Sequence, residues 1–208
     1  MVKAQISPIT IILVSGIVIS LVGVTYMWGA PLIEKQSIKT RFAAAAAFMK
    51  SLDNTIVDIA NSGGSTEMEI PFGLAVVIPD GREKDSNSIT FQFSSSQPLI
   101  SSNTTTYLGD VSYEDIAGEV GIFGTSRPGV ISLSSQPSGQ GVLVTMRLHY
   151  RELDSSSPLA GYKISLEKVG RGSGPNKITL SSEGSETTAG GAANSGDLIL
   201  TKINVRIS

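Results

Sequence analysis

The chain of 208 residues has no cysteine, one histidine, one tryptophan and few charged side chains. Without cysteine it cannot form a disulfide bond, a thiolate-bound zinc or iron–sulfur site, or a thiol nucleophile. Charged residues make up 16% of the chain, below the ~25% that is usual for a soluble domain. A net charge of −2 is not the strongly basic balance that is typical of nucleic-acid-binding domains, so we expect no nucleic-acid partner.

Motifs for catalysis are also missing. The sequence contains no Walker A loop, no HExxH and no GxSxG. The single histidine, His149, lies on the polar side of an alternating pattern, which favours a solvated residue over a catalytic base. The segment Gly170–Gly174 joins two predicted strands and opens no helix, so a hairpin loop fits it better than a phosphate loop. A solvated acidic turn likewise fits Asp110, Glu114 and Asp115 better than a cation site. We therefore predict that the protein is not an enzyme and uses no cofactor or metal.

A long apolar run lies near the N-terminus. No charged residue occurs between Lys3 and Glu34, and residues 9–28 include eleven Ile, Leu or Val. A helix of about 20 apolar residues crosses a hydrocarbon core, and at roughly −0.5 kcal/mol each these eleven favour insertion by about 5 kcal/mol. Pro8 suits a first helical turn that Ser7 can cap. A secretory signal peptide would have a shorter apolar stretch followed by a cleavage site, so a retained membrane helix is the better interpretation.

The helical pattern continues beyond this run. Residues 35–60 contain no Gly or Pro and are followed by Asn-Ser-Gly-Gly at 61–64, a good helix stop. Only Pro31 interrupts, and a helix that persists through it over residues 8–60 would span about 80 Å. A helix that serves only as a membrane anchor does not need this length. Apolar residues spaced by three and four predict one stripe along the second half: Ile38, Phe42, Ala45, Met49, Leu52, Ile56 and Ile59.

Small residues mark two parts of this helix as packing sites. They let helices approach closely where water no longer drives association. We predict that they pack against the helices of other copies of the chain, and the alternative is ordinary membrane-helix composition. On this hypothesis, Gly16→Leu or Ala45→Glu prevents assembly and leaves the rest of the chain folded. The predicted packing residues are Gly16, Ser20 and Gly23 in the first half and Ala43, Ala44, Ala45, Ala46 and Ala47 in the second.

The segment before the helix resembles a known family. Lys3-Ala4-Gln5, followed by an uncharged span, is similar to the class III signal sequence of archaeal type IV pilins and archaellins. The resemblance implies that a prepilin peptidase cleaves between Ala4 and Gln5, which makes residues 1–4 a signal peptide. It further implies that the helix stays on the mature protein as the core of a homopolymeric filament. Assembly machinery would build that filament from a membrane-inserted precursor, for adhesion or motility.

From Ser65 onward the apolar period changes from about 3.6 to two. Alternation predicts strands around residues 68–74, 89–93, 129–133, 142–150, 162–166, 177–181 and 198–207. A Pro-Asp-Gly turn follows at 79–81, and the loop at 154–161 joins the strands on either side of it in a hairpin. We predict an α+β fold, with a long N-terminal hydrophobic helix at 5–62 and an antiparallel, Ig-like β-sandwich at 63–208 that closes its core without the helix.

The composition of this second part favours an extracellular location. The chain has 30 serines, and a sequon at Asn103-Thr104-Thr105 predicts N-glycosylation of Asn103. Lys35, Lys39 and Arg41 follow the span and would place the domain in the cytoplasm by the positive-inside rule, but the export route of the resembled family implies the outside. We therefore expect an extracellular filament subunit. The alternative is a monomeric membrane-anchored binding module, pseudopilin-like or stator-like, that grips the surface layer.

Overall fold

A computed structural model describes residues 8–71, 75–78, 87–101, 104–109, 120–139, 141–170 and 177–208. It divides the chain into two units, Met1–Ala43 and Ala44–Ser208. The second unit contains the end of the helix and all the strands. The predicted segments at 1–4, 5–62 and 63–208 differ from this division and remain predictions.

One helix, α1, runs from Pro8 to Ser62. It begins at a proline, whose missing N–H costs nothing in the first turn, and it continues through Pro31. It ends where the Asn-Ser-Gly-Gly sequence predicts. Gly63 has a positive φ of 74° and donates its N–H to the Ile59 carbonyl at 2.8 Å, which is the left-handed cap that glycine favours.

Eleven strands follow the helix within the described ranges, and they form two sheets. The six-stranded sheet has the order β1-β10-β11-β9-β8-β5, and the five-stranded sheet has the order β2-β3-β7-β6-β4. The strands are β1 (Ser65–Glu69), β2 (Ala75–Val77), β3 (Ser88–Ser95), β4 (Thr105–Leu108), β5 (Val120–Ile122), β6 (Gly129–Ser138), β7 (Gly141–Tyr150), β8 (Glu152–Ser156), β9 (Leu159–Lys168), β10 (Lys177–Thr188) and β11 (Asp197–Ile207).

The predicted fold class is confirmed as α+β, with one long apolar helix followed by two β-sheets. The predicted strands at 89–93, 129–133, 142–150, 162–166, 177–181 and 198–207 lie within β3, β6, β7, β9, β10 and β11. Met68 lies in β1, whereas Phe72, Leu74 and the turn at 79–81 lie outside the described residues. Alternation finds these strands because one face of each is buried, as on β7, where every second residue from Val144 to Tyr150 is buried.

The predicted hairpin between 142–150 and 162–166 is wrong. β7 lies in the five-stranded sheet between β3 and β6, whereas β9 lies in the other sheet. The hairpin partner of β9 is β8, across the turn at Ser157-Pro158. The sequence hides β8 because Leu153 is its one apolar residue, so there is no alternation to detect. The chain changes sheets at Arg151, which is 6% exposed.

The strand directions also depart from the prediction. β11 pairs with β9 in parallel, and β5 pairs with β8 in parallel, so the six-stranded sheet is mixed. β11 lies between β9 and β10 in that sheet, and the segment that includes Gly170–Gly174 therefore does not connect a hairpin. Apolar alternation carries no information on direction, since it reports only which residues share a face.

The core of the second unit includes the helix. The predicted stripe is buried at Ala45, Met49, Leu52, Ile56 and Ile59. The Phe48 ring meets the Phe91 ring of β3 edge to face, with 5.3 Å between ring centroids. Helix side chains from 45 to 59 are therefore part of the core in the whole chain, which argues against the expectation that the strands close their core without residues 1–60.

Asn87 connects the two sheets. Its side-chain N–H groups donate to the carbonyls of Tyr150 on β7 and Ile164 on β9, at 3.1 and 2.8 Å, and its carbonyl accepts from the Leu166 N–H at 2.7 Å. A single side chain thus satisfies backbone groups from both sheets.

Candidate functional site: the exposed apolar surface of the helix

The first half of α1 presents an apolar surface with no cover from the described residues. Every Val, Leu, Ile, Met, Tyr and Trp side chain from Ile9 to Ile33 is more than half exposed, from 51% at Ile17 to 78% at Trp28. An 18-residue window of α1 has a mean hydropathy of 2.3, and none of it is buried by the described residues. By length and composition, this helix can cross a membrane. Soluble monomers rarely expose so large a contiguous apolar patch.

The hydroxyl groups in this half bond within their own helix. Ser15, Ser20 and Thr25 donate to the carbonyls of Ile12, Gly16 and Leu21 at 2.8–2.9 Å. An unsatisfied polar group in an apolar environment costs several kcal/mol, and this back-bonding removes that cost for three hydroxyls. The surface can therefore face lipid or other apolar side chains.

Two of the predicted packing residues form one groove. Gly16 has no side chain and Ser20 folds its hydroxyl back onto the Gly16 carbonyl, which leaves a depression between larger neighbours. Apart from the adjacent residues and the backbone of its own helical turns, a Cβ at Gly16 or at Gly23 would meet no described atom within 4 Å. A side chain from a neighbouring helix fits such a depression. The groove is lined by Leu13, Gly16, Ile17, Ser20, Leu21 and Val24, so Gly23 lies outside it.

The alanine block divides between two surroundings. Ala45 is fully buried in its own unit, and Ala46 is half-buried. Ala43, Ala44 and Ala47 are exposed. Their predicted packing against other copies remains a prediction, but the substitution that tests it must avoid Ala45.

The remaining predicted site residues lie outside the described ranges. These are the cleavage pair Ala4 and Gln5 and the sequon residue Asn103. Ser101, two positions before Asn103, is exposed, and so are Thr104 and Thr105 of the sequon. Processing and glycosylation therefore remain predictions.

Sequence reasoning missed a buried polar cluster where the helix packs on the five-stranded sheet. Asp53 is 4% exposed, and its Oδ1 accepts a hydrogen bond from Tyr150 Oη at 3.0 Å. Arg127 Nη1 lies 3.9 Å from Asp53 Oδ2, but its side chain is largely exposed, so we expect that ion pair to be weak. Gly129 lies directly against the carboxylate, and a Cβ at this position would overlap it. One feature of the sequence could have indicated this cluster: Asp53 is an acidic residue four positions after Met49, inside the apolar stripe.

Burial dominates the electrostatics of this cluster. It raises the pKa of Asp53 above its ordinary value of 3.8, although the Tyr150 hydrogen bond and the Arg127 charge act in the opposite direction. Burial, with the nearby Asp53 charge, also raises the pKa of Tyr150 well above its ordinary value. Tyr150 is therefore a neutral donor at physiological pH, and the cluster fixes the helix to the sheet.

The described residues bring no metal-ligating group together, since no three His, Asp or Glu side chains among them could hold one ion. His149 is half-buried on β7 and lies on the face opposite the fully buried residues; its assignment as a solvated residue remains a prediction. The acidic group Asp110, Glu114 and Asp115 lies outside the described residues.

No protein-family model, no curated protein and no solved structure matches this chain. The architecture itself places it in a class. An exposed N-terminal apolar helix, followed by a β-rich domain that packs on the end of the same helix, is a pilin-like layout.

Proposed function

We propose that this protein is a structural subunit of an extracellular archaeal filament, similar to type IV pilins and archaellins, and not an enzyme. Its precursor is held in a membrane by the N-terminal half of α1 and is trimmed between Ala4 and Gln5 by a prepilin peptidase. Assembly machinery then extracts it, and the apolar helix surface leaves lipid and packs against other copies. The filament serves adhesion or motility.

The observation that carries this proposal is an apolar surface all around a helix that runs unbroken into the domain core. At roughly 1.5–3 kcal/mol for each large side chain, covering residues 9–33 is worth tens of kcal/mol. A membrane or a bundle of like helices can supply that cover. An anchor needs only the span, whereas α1 continues without a loop to Ser62 and has one buried stripe between Ala45 and Ile59. An α1 of this length supports a filament subunit over a plain membrane anchor.

Negative-stain microscopy of the trimmed chain, which begins at Gln5, after detergent removal tests this proposal. We expect filaments from the wild type and none from Gly16→Leu, whose added side chain fills the groove at Gly16 and Ser20 and overpacks every repeated contact. Ile19→Leu, a change of equal volume at an exposed position outside the groove lining, is the matched control and should assemble normally.

The same experiment distinguishes the alternative function. Dispersed particles from wild type, together with retention in vesicles, would favour the monomeric membrane-anchored binding module. Filaments from Gly16→Leu at normal yield would exclude the groove from the assembly contact.

A further inference from the structure

A row of exposed side chains follows the apolar span on one face of α1. Trp28, Leu32, Lys35 and Lys39 are spaced by four, three and four, which aligns them along the helix. Trp28 and Leu32 are 78% and 62% exposed, and both lysines are exposed. We call these four residues the basic face. It therefore presents an aromatic ring, then an apolar side chain, then two ammonium groups.

Neither lysine is neutralised within the described part of the chain, where no ion pair includes either of them. The positions three and four residues from Lys35 hold Pro31, Leu32, Ile38 and Lys39. None is acidic, and Lys39 repels Lys35 at the i,i+4 spacing. Any neutralising charge must therefore come from outside these residues.

We propose that the basic face binds a membrane surface that contains anionic lipid headgroups. The inference rests on the proposed function in one respect, the insertion of the preceding span into a membrane. A tryptophan at the end of such a span prefers the level of the headgroups. At 1.5 Å per residue, Lys35 and Lys39 lie about 10 and 16 Å beyond Trp28 along the axis.

The direction of the two lysine side chains shortens the distance between their ammonium groups and the headgroups. Helical Cα–Cβ bonds tilt toward the N-terminus, here toward Trp28, and long lysine stems extend their ammonium groups to the polar interface. Both charges then lie within about a Debye length, roughly 8–10 Å, of the phosphates. Attraction to anionic lipid is effective over that range.

A second copy of the chain is a poorer match for these charges. The exposed charged residues of α1 are two acidic ones, Glu34 and Asp58, and four basic ones, Lys35, Lys39, Arg41 and Lys50. Aligned copies would therefore bring together an excess of positive charge, whereas a surface of phosphate groups compensates it.

Trp28 is the only tryptophan of the chain, so energy transfer from it reports which lipids surround this face. The full-length chain is reconstituted in two samples of phosphatidylcholine vesicles. One contains a small fraction of acceptor-labelled phosphatidylglycerol, and the other contains the same fraction of acceptor-labelled phosphatidylcholine. The acceptor is the same in both and is attached to the acyl chain. Each lysine near an anionic surface gives about a fivefold preference. We expect transfer to labelled phosphatidylglycerol to exceed transfer to labelled phosphatidylcholine severalfold. The excess should disappear in the double variant Lys35→Gln/Lys39→Gln and at about 1 M salt, where the Debye length is ~3 Å.

Lys50→Gln is the control, because Lys50 is an exposed cation of α1 that does not belong to the basic face, and it should keep the excess. Equal transfer to the two lipids in wild type would overturn the proposal, as would an excess that survives in the double variant. Loss of the excess in Lys50→Gln as well would show a general charge effect and refute this assignment.

Trp28 emission in pure phosphatidylcholine distinguishes failure of the lipid preference from failure of the proposed function. Water-like emission means that the span is not inserted and both fail, whereas blue-shifted emission with equal transfer means that only the lipid preference fails.

Discussion

Asp53 brings a carboxylate to a place where the helix and the five-stranded sheet meet. Its position is possible because Gly129 has no side chain and because Tyr150, the cross-strand partner of Gly129, donates its hydroxyl to the carboxylate. Asp53, Gly129 and Tyr150, which come from three different elements, thus form one complementary contact. A buried acceptor is costly when its donor is removed, so this cluster has measurable consequences for stability.

Replacing Tyr150 with phenylalanine should destabilise the domain. The change keeps the ring but leaves the Asp53 carboxylate without its buried donor, which costs about 1–3 kcal/mol. Thermal unfolding of the full-length chain in mild detergent, followed by circular dichroism, measures the change. Tyr162→Phe is the matched control, because the Tyr162 ring stacks on Phe123 and its hydroxyl makes no hydrogen bond with the described residues. Equal melting temperatures for Tyr150→Phe and wild type would contradict the role assigned to the hydroxyl.

Asp53→Asn should change how stability depends on pH. Because folding raises the pKa of Asp53, the folded state binds this proton more tightly than the unfolded state. The resulting stabilisation is complete below the ordinary pKa of 3.8 and is lost as pH rises through the pKa of the folded state. Asparagine cannot ionise but still offers an acceptor to Tyr150.

The test compares the free energy of unfolding of the two proteins across pH. We expect wild type minus Asp53→Asn to decrease as pH rises above 3.8 and then to become constant. Other carboxyl groups cancel in this difference, including Asp154, whose pKa is also raised by burial and by Glu152. A difference that increases with pH would mean that Tyr150 and Arg127 outweigh burial.

Helix α1 has two halves with different surroundings, although it is one unbroken element. Side chains from 9 to 33 are exposed all around, whereas from 45 to 59 one stripe is buried in the domain core. Within the alanine block, Ala45 is buried, whereas Ala43, Ala44 and Ala47 are exposed. Each helix face can therefore be tested separately within the alanine block.

A pair of substitutions separates the two roles of this block. Ala45→Glu places a carboxylate in the domain core and should lower domain stability by several kcal/mol, because the charge is buried without a partner. Ala44→Glu changes an exposed position and should leave the domain folded but prevent filaments. Melting curves in detergent and micrographs after detergent removal measure the two effects. Normal filaments from Ala44→Glu would contradict the packing role of the exposed alanines.

The division into units predicts which fragment folds. Removing the helix up to Ser62 exposes the surface that five buried helix side chains cover, and at roughly 1.5–3 kcal/mol each this loss totals about 8–15 kcal/mol. That is as large as the whole stability of a typical domain, about 5–15 kcal/mol. The five side chains are Phe48, Met49, Leu52, Ile56 and Ile59.

We therefore expect residues 44–208 to form a soluble, cooperatively melting domain and residues 65–208 to aggregate or melt without cooperativity. Expression of both fragments, followed by size-exclusion chromatography and thermal circular dichroism, measures this difference. Cooperative melting of 65–208 would show that the strands do close their core without the helix.

Local patterns predict much of this protein. The helix stop at 61–64, the apolar stripe from Ala45 to Ile59 and the alternation in β3, β6, β7 and β11 are all visible in the sequence. Each reflects an interaction between near neighbours along the chain, such as backbone geometry at Gly63 or a face that repeats every 3.6 or two residues. The apolar surface from Ile9 to Ile33 is also predictable from the sequence, because its composition alone shows that burying it away from water is favourable.

Pairing and placement depended on the folded chain. The sequence predicted the strand in β9 but not that β8, with its one apolar residue Leu153, forms the hairpin with it, nor that β11 runs parallel to β9. It also predicted the stripe on α1 but not that this stripe completes the domain core, or that Asp53, Gly129 and Tyr150 meet there. These contacts join residues up to 97 positions apart. Periodicity shows that a side chain needs a partner, but only tertiary packing selects which of the available apolar faces, donors and strand edges becomes that partner.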